Sequence, residues 1–230
     1  MLRRIFRICV LFALPTLACA EVDEDQVGAW YMYLWNATLP ASQFGFQGDI
    51  QHRNWDLGGD LEQLLIRGGA TWSPENSSAK YTFGYAHIES GVFGSSGAST
   101  EESRIYQEAS IPQRFGEKFL VTHRLRLEQR WVENQDFRNR FRYFLNVNYP
   151  LNKSDLSRGS LYVSFYNEVF LNLENDIGNN RSVGVFDRNR TYLALGYSVT
   201  DKARFQFGYM HQETERADKG QLQFSLFHTF

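Results

Sequence analysis

Phe119-Leu-Val-Thr-His-Arg-Leu-Arg-Leu-Glu-Gln-Arg-Trp131 is the stretch on which the fold turns. Phe119, Val121, His123, Leu125, Leu127, Gln129 and Trp131 share one parity, while Thr122, Arg124, Arg126, Glu128 and Arg130 share the other. A period of two over this length places alternate residues on opposite faces of a strand, which no helix does. The pattern continues downstream, where Phe141, Tyr143, Leu145, Val147 and Tyr149 alternate with Arg138, Arg140, Arg142, Asn146 and Asn148. Upstream it recurs in residues 44–53, 63–72 and 81–87, and later in 161–171, 191–199, 205–211 and 222–230. Repeated alternation of this length predicts an all-β chain.

Composition narrows the class. The 230 residues carry 24 Lys+Arg against 26 Asp+Glu, so a nucleic-acid binder working by bulk basic charge is excluded. Mean hydropathy is −0.43, and past the amino end no apolar run approaches ~18 residues, which excludes a helical membrane protein. With 16% aromatic residues the chain is not disordered.

The second face is unusual. In a soluble sandwich that face meets bulk water and is rich in Lys, Ser and Thr. Here it carries Arg, Glu, Asn, Gln and Tyr, which can cross-link inside a closed lumen. Trp72, Trp131 and Tyr149 lie near strand ends on the apolar face, as interfacial girdles do. The expected fold is an antiparallel up-and-down transmembrane β-barrel of 10–12 strands. About eleven segments are countable if residues 27–35 are included. Single-chain bacterial barrels have even numbers, so ten strands starting near Ser42 would leave residues 30–35 as an extra element and both termini in the periplasm. Long connections at residues 89–103 and 172–189, against tight ones at 112–117 and 200–202, suggest long loops outside and short turns inside. Residues 132–137 and 150–159 fit that rule poorly.

The amino end reads as a secretory signal over residues 1–20. Arg3, Arg4 and Arg7 are cationic, residues 8–14 are apolar, Pro15 breaks the helix, and Ala18-Cys19-Ala20 is the small-residue site with the cut after Ala20. Lipidation of Cys19 is the minor alternative. Cleavage takes the net charge from −2 to −5 and removes Cys9 and Cys19, leaving residues 21–230 as a barrel without disulfides. The carboxyl end closes an alternating strand, with Leu222, Phe224, Leu226, His228 and Phe230 on one face. A terminal aromatic of this kind resembles the signal read by the outer-membrane barrel-assembly machinery. The expected location is therefore the outer membrane of a Gram-negative bacterium, with its lipids and lipopolysaccharide as surroundings.

Several blocks also resemble a known family. Arg124-Leu-Arg-Leu-Glu-Gln-Arg-Trp131, Asn139-Arg-Phe-Arg-Tyr143, Tyr166-Asn-Glu-Val-Phe170 and Phe186-Asp-Arg-Asn-Arg190, followed by Leu195-Gly-Tyr197, stand in its order and spacing. Gly28-Ala-Trp30 and Arg67 are similar too. The family is the bacterial "domain of unknown function 2490", and the resemblance runs roughly from residue 28 to 230. It implies an outer-membrane β-barrel and carries no established activity.

Parity puts Arg124, Arg126, Arg130, Arg138, Arg140, Arg142, Arg188 and Arg190 on one face with Glu128 and Glu168. Adding Arg53, Arg67, Arg104, Asp49 and Glu108 makes eleven positive and four negative groups. Two readings follow: a structural network of Arg forks filling a narrow barrel, or a narrow pore favouring small anions. A lipid-modifying outer-membrane enzyme is the alternative of a different class. It needs a nucleophile beside a base, yet His52, His87, His123, His211 and His228 all share the apolar parity, and none has Ser two residues on. A soluble periplasmic binding barrel is a third reading. No Cys- or His-based metal spacing is present, and no cofactor is called for.

Overall fold

Among the described residues alternation becomes eleven strands: β1 (Gly28–Thr38), β2 (Phe44–Asn54), β3 (Leu61–Trp72), β4 (Lys80–Gly91), β5 (Ser99–Phe115), β6 (Phe119–Val132), β7 (Arg138–Pro150), β8 (Leu161–Asn172), β9 (Phe186–Ser198), β10 (Ala203–Thr214) and β11 (Asp218–Thr229). The structure, a computed structural model, describes residues 24–94, 97–215 and 217–230. The signal-peptide reading over residues 1–20, with Ala18 and Ala20, lies outside the described residues. Each strand pairs antiparallel with the next, and β1 then pairs with β11 in parallel to close the barrel.

Closure corrects the reading of ten strands with an extra element. Residues 30–35 belong to β1, and β1 is the strand that seals the sheet. With an odd number of alternating strands the first and last run the same way, so their pairing has to be parallel. The side chains of β1 explain the fit. Trp30 points inward and is 2% exposed, while Tyr31 faces outward and stacks on Phe224 with ring centroids 5.3 Å apart. The Tyr33 hydroxyl meets His228 Nδ1 at 3.0 Å, and Phe230 N–H donates to the Asn36 carbonyl at 3.0 Å.

Because the count is odd, the start of β1 and the end of β11 occupy opposite rims. β1 starts at the amino-terminal rim, with connections 55–60, 92–98, 133–137, 173–185 and 215–217. β11 ends at the carboxyl-terminal rim, with connections 39–43, 73–79, 116–118, 151–160 and 199–202. The expected contrast of loop lengths is weak. Much of residues 89–103 is strand, 151–160 sits on the rim assigned short turns, and 215–217 on the rim assigned long loops.

The barrel is inside out. Buried positions are dominated by Arg, Glu, Gln, Asn and Ser, whereas Phe83, Leu193, Leu195, Phe205 and Phe207 are each half exposed or more on the outer face. Aromatic pairs mark both rims: Trp55–Phe93 and Trp131–Phe137 at one, Trp72–Tyr81 and Phe119–Tyr149 at the other. Polar side chains that do face outward bond one another, as Gln107 and Gln129 do through reciprocal amide bonds of 3.1 and 3.2 Å. An 11-residue strand tilted about 40° rises roughly 28 Å, close to the height of a bilayer's apolar band.

Two glycines shape the interior. A Cβ at Gly84 would run into the Tyr106 ring, and one at Gly196 into the Tyr162 ring. Both tyrosines lie flat across the neighbouring strand because that strand has no side chain there.

Candidate functional site

The lumen-facing positions of β5 to β9 hold the arginine cluster. Glu128 on β6 is its hub: its carboxylate accepts from Arg140 Nε at 3.0 Å and Nη2 at 2.6 Å, and from Arg142 Nη1 at 2.5 Å. Arg126 and Arg104 stand 3.6 and 4.0 Å from the same carboxylate. Glu168 on β8 accepts from Arg124 at 2.7 Å and from Arg142 at 2.6 Å. Glu108 takes a hydrogen-bonded pair with Arg126 and has Arg124 at 3.7 Å. Glu102 holds Arg104 at 2.6 Å and Arg130 at 2.5 Å, and Asp49 holds Arg67 at 2.6 Å. The strand register builds these contacts, since Arg126 lies opposite Glu108 and Arg142, and Glu128 opposite Arg140.

Three carboxylates of the lumen escape a parity reading. Glu62 and Asp187 sit beside register shifts, at Arg53/Asn54 and at Phe170/Leu171, where an extra residue lets a side chain of the wrong parity turn inward. Asp187 then accepts from Arg140 Nη1 at 2.8 Å and Arg188 Nε at 3.1 Å. Glu62 accepts from Trp30 Nε1 at 2.8 Å and Gln221 Nε2 at 3.1 Å. Glu102 has the inward parity but falls in residues read as a loop. The eleven arginines thus face seven carboxylates rather than four, although Lys80, Arg204 and Lys219 also point inward.

Among the described residues, Arg53, Arg138 and Arg190 have no carboxylate oxygen within 4 Å. Arg53 donates to Gln51 and Gln63, Arg138 to Gln135 at 2.6 Å, and Arg190 to Gln212 at 2.8 Å. Arg53 and Arg190 both lie against Trp30, with Cζ 3.9 and 4.7 Å from the ring. Phe170 carries Arg142 at 4.3 Å and Arg190 at 4.8 Å. Cation–π contact softens the burial of these charges without neutralising them.

One cavity of about 780 Å³ follows the barrel axis, from Asn36 and Asn148 near one rim to Ser90 and Gln135 near the other. Its amino-terminal half is walled by the arginine–carboxylate network. The carboxyl-terminal half carries fewer charges, Lys80 and Arg204 among them, and Met32, Leu34, Phe144, Gln206 and Ser225 form part of its walls.

The histidines lie on the outer face. His123 Nδ1 meets the Tyr143 hydroxyl at 2.8 Å, and His211 Nε2 stands 3.8 Å from Asp218. Leu222, Phe224, Leu226, His228 and Phe230 also line the outside of the seam, where Phe224 packs on Tyr31 and Phe207, and His228 on Phe230 at 4.3 Å.

Comparison with curated proteins and with solved structures found no match to this chain in either. A family model described as "Protein of unknown function (DUF2490)" matches residues 27–223, which covers all of β1 to β10 and the first half of β11. The arginine-rich strands and the sealing strand both lie inside that match, and the chain belongs to the DUF2490 family.

Proposed function

We propose that this chain is an outer-membrane β-barrel whose lumen is a narrow passage favouring small anions, braced by its own arginine–carboxylate network. The observation that carries the membrane part is the inversion of burial: ionised side chains inside, leucines and aromatics outside, aromatic girdles at both rims. A soluble barrel would leave that outer surface in water at a cost of roughly 25 cal/mol per Å². The excess of inward arginines supports the anion preference, since a low-dielectric wall focuses their field along the axial cavity. The alternating outer face of β11, with Leu222, Phe224, Leu226 and His228 along it and Phe230 just beyond, supports delivery by the barrel-assembly machinery, which would set the carboxyl-terminal rim in the periplasm.

Two measurements test the reading. The mature protein should sediment with outer membranes and migrate faster on gels when unheated. Deleting Phe230 removes the outer-face contact with His228 and the N–H bond to Asn36, and should lower the assembled fraction. Recovery in the soluble periplasm, or normal yield of the truncated chain, overturns the placement.

In planar bilayers under a salt gradient, the reversal potential should report anion preference. Arg140→Ala or Arg142→Ala should move it towards zero. A purely structural barrel is favoured by one specific observation: Glu128 and Glu168 are each hydrogen-bonded by two arginines, which ties those guanidinium groups to the wall rather than to a passing ion. That reading expects no conductance and lower heat resistance in both variants.

A further inference from the structure

The network leaves one group of buried cations without matching carboxylates. Arg53 on β2 and Arg190 on β9 are 7% and 6% exposed, line the axial cavity and flank Trp30, the inward ring of the sealing strand. Their hydrogen-bond acceptors are the neutral amides of Gln51, Gln63 and Gln212. Arg188, two residues from Arg190, also lines the cavity, and its carboxylate Asp187 is shared with Arg140. The other acids nearby make no contact with them. Glu168 is shared by Arg124 and Arg142, and Glu62, hydrogen-bonded to the neutral donors Trp30 and Gln221, stands beyond 4 Å of Arg53 and offsets its charge only across that gap. Burying guanidinium charge without a counter-charge in contact is costly, and the cavity is where a mobile counter-charge can sit.

We propose that Arg53, Arg188 and Arg190 form an oxyanion-binding site inside the lumen, for a phosphate- or carboxylate-class ligand. The proposal rests on the anion-favouring lumen argued above and makes it a site of residence rather than only a field. Two features favour an oxyanion over chloride. Guanidinium forks present paired N–H donors that match two oxygens of one phosphate or carboxylate. Among the described residues, the Arg190 guanidinium is engaged only through Nε, by Gln212, which leaves Nη1 and Nη2 for a ligand. Trp30 and Phe170 hold the guanidinium planes from behind, so binding does not have to order floppy side chains.

The test uses the purified full barrel in detergent and inorganic phosphate as the probe. Isothermal titration should show saturable phosphate binding, and the unfolding midpoint should rise with phosphate beyond its value in chloride at equal ionic strength. Arg190→Gln should weaken phosphate binding about tenfold or more, the loss expected for a charge-assisted hydrogen bond. Arg190→Lys should keep the charge and lose most of the gain over chloride. Arg158→Gln, in the exposed connection 151–160, should bind as the parent does.

Linear, non-saturating heat with the parent protein overturns the site whether or not any variant folds. So does phosphate binding that survives Arg190→Gln unchanged. Saturable binding without conductance would keep the site and remove the pore. Anion-selective conductance without binding would do the reverse.

Discussion

Replacing Glu128 by alanine should destabilise the barrel by about 3–5 kcal/mol, the cost of stranding buried cations. Glu128 is 1% exposed and both its oxygens are used, by Arg140 and Arg142. Arg126 and Arg104 approach the same group. Each of the four keeps some other partner, Asp187 for Arg140, Glu168 for Arg142, Glu108 for Arg126 and Glu102 for Arg104, so the network loosens rather than vanishes. Glu168 removes fewer contacts and should cost less when truncated. Glu128→Gln should cost about 2 kcal/mol, because the amide oxygen still accepts while the charge is gone. Urea unfolding in detergent reads all three. A double-mutant cycle with Arg140→Ala should return a coupling of about 1–3 kcal/mol. Should Glu128→Ala unfold with the parent's midpoint, the lumen is wet enough to screen these charges, and the bracing role is lost.

The strands of this protein are legible because each face has its own chemistry over ten or more residues. Arg126, Glu128 and Arg130 on β6 and Arg138, Arg140 and Arg142 on β7 could be assigned to one surface from parity alone. Their partners could not, because parity says which face a side chain is on and not which neighbour it meets. Arg142 meets Glu168 because of the β7–β8 register. Glu62 and Asp187 were illegible for a sharper reason: one extra residue at each register shift reverses the local parity, and no residue type announces it. Glu102 was hidden by the Gly- and Ser-rich composition around it, which reads as loop although β5 begins at Ser99. Counting charges by parity therefore overstated the positive surplus of those residues, and the three recovered carboxylates explain how so many arginines are buried together.

The role of β1 was also hidden, and it leads to the prediction with the plainest outcome. Ten strands would place both chain ends on one side of a membrane, whereas eleven place them on opposite sides. Residues 24–26 are held at the amino-terminal rim, since Asp218 N–H donates to Glu24 at 3.1 Å and Lys219 Nζ to the Gln26 carbonyl at 2.9 Å. Both native cysteines, Cys9 and Cys19, precede the expected cut after Ala20, so in a chain cleaved there single cysteines report position without interference. If Phe230 lies at the periplasmic rim, as proposed, Asp25→Cys and Gly58→Cys should react with a membrane-impermeant maleimide on intact cells. Asn76→Cys and Asp201→Cys, in connections of the other rim, should react only after the outer membrane is opened. Position 25 is the discriminating one. If β1 closes the sheet, it labels with position 58; if residues 30–35 lie outside an even-stranded ring with both termini in the periplasm, it is protected with position 76. Labelling of 25 and 76 together would break the parallel β1–β11 seam, and with it the inward placement of Trp30 on which Arg53 and Arg190 rest.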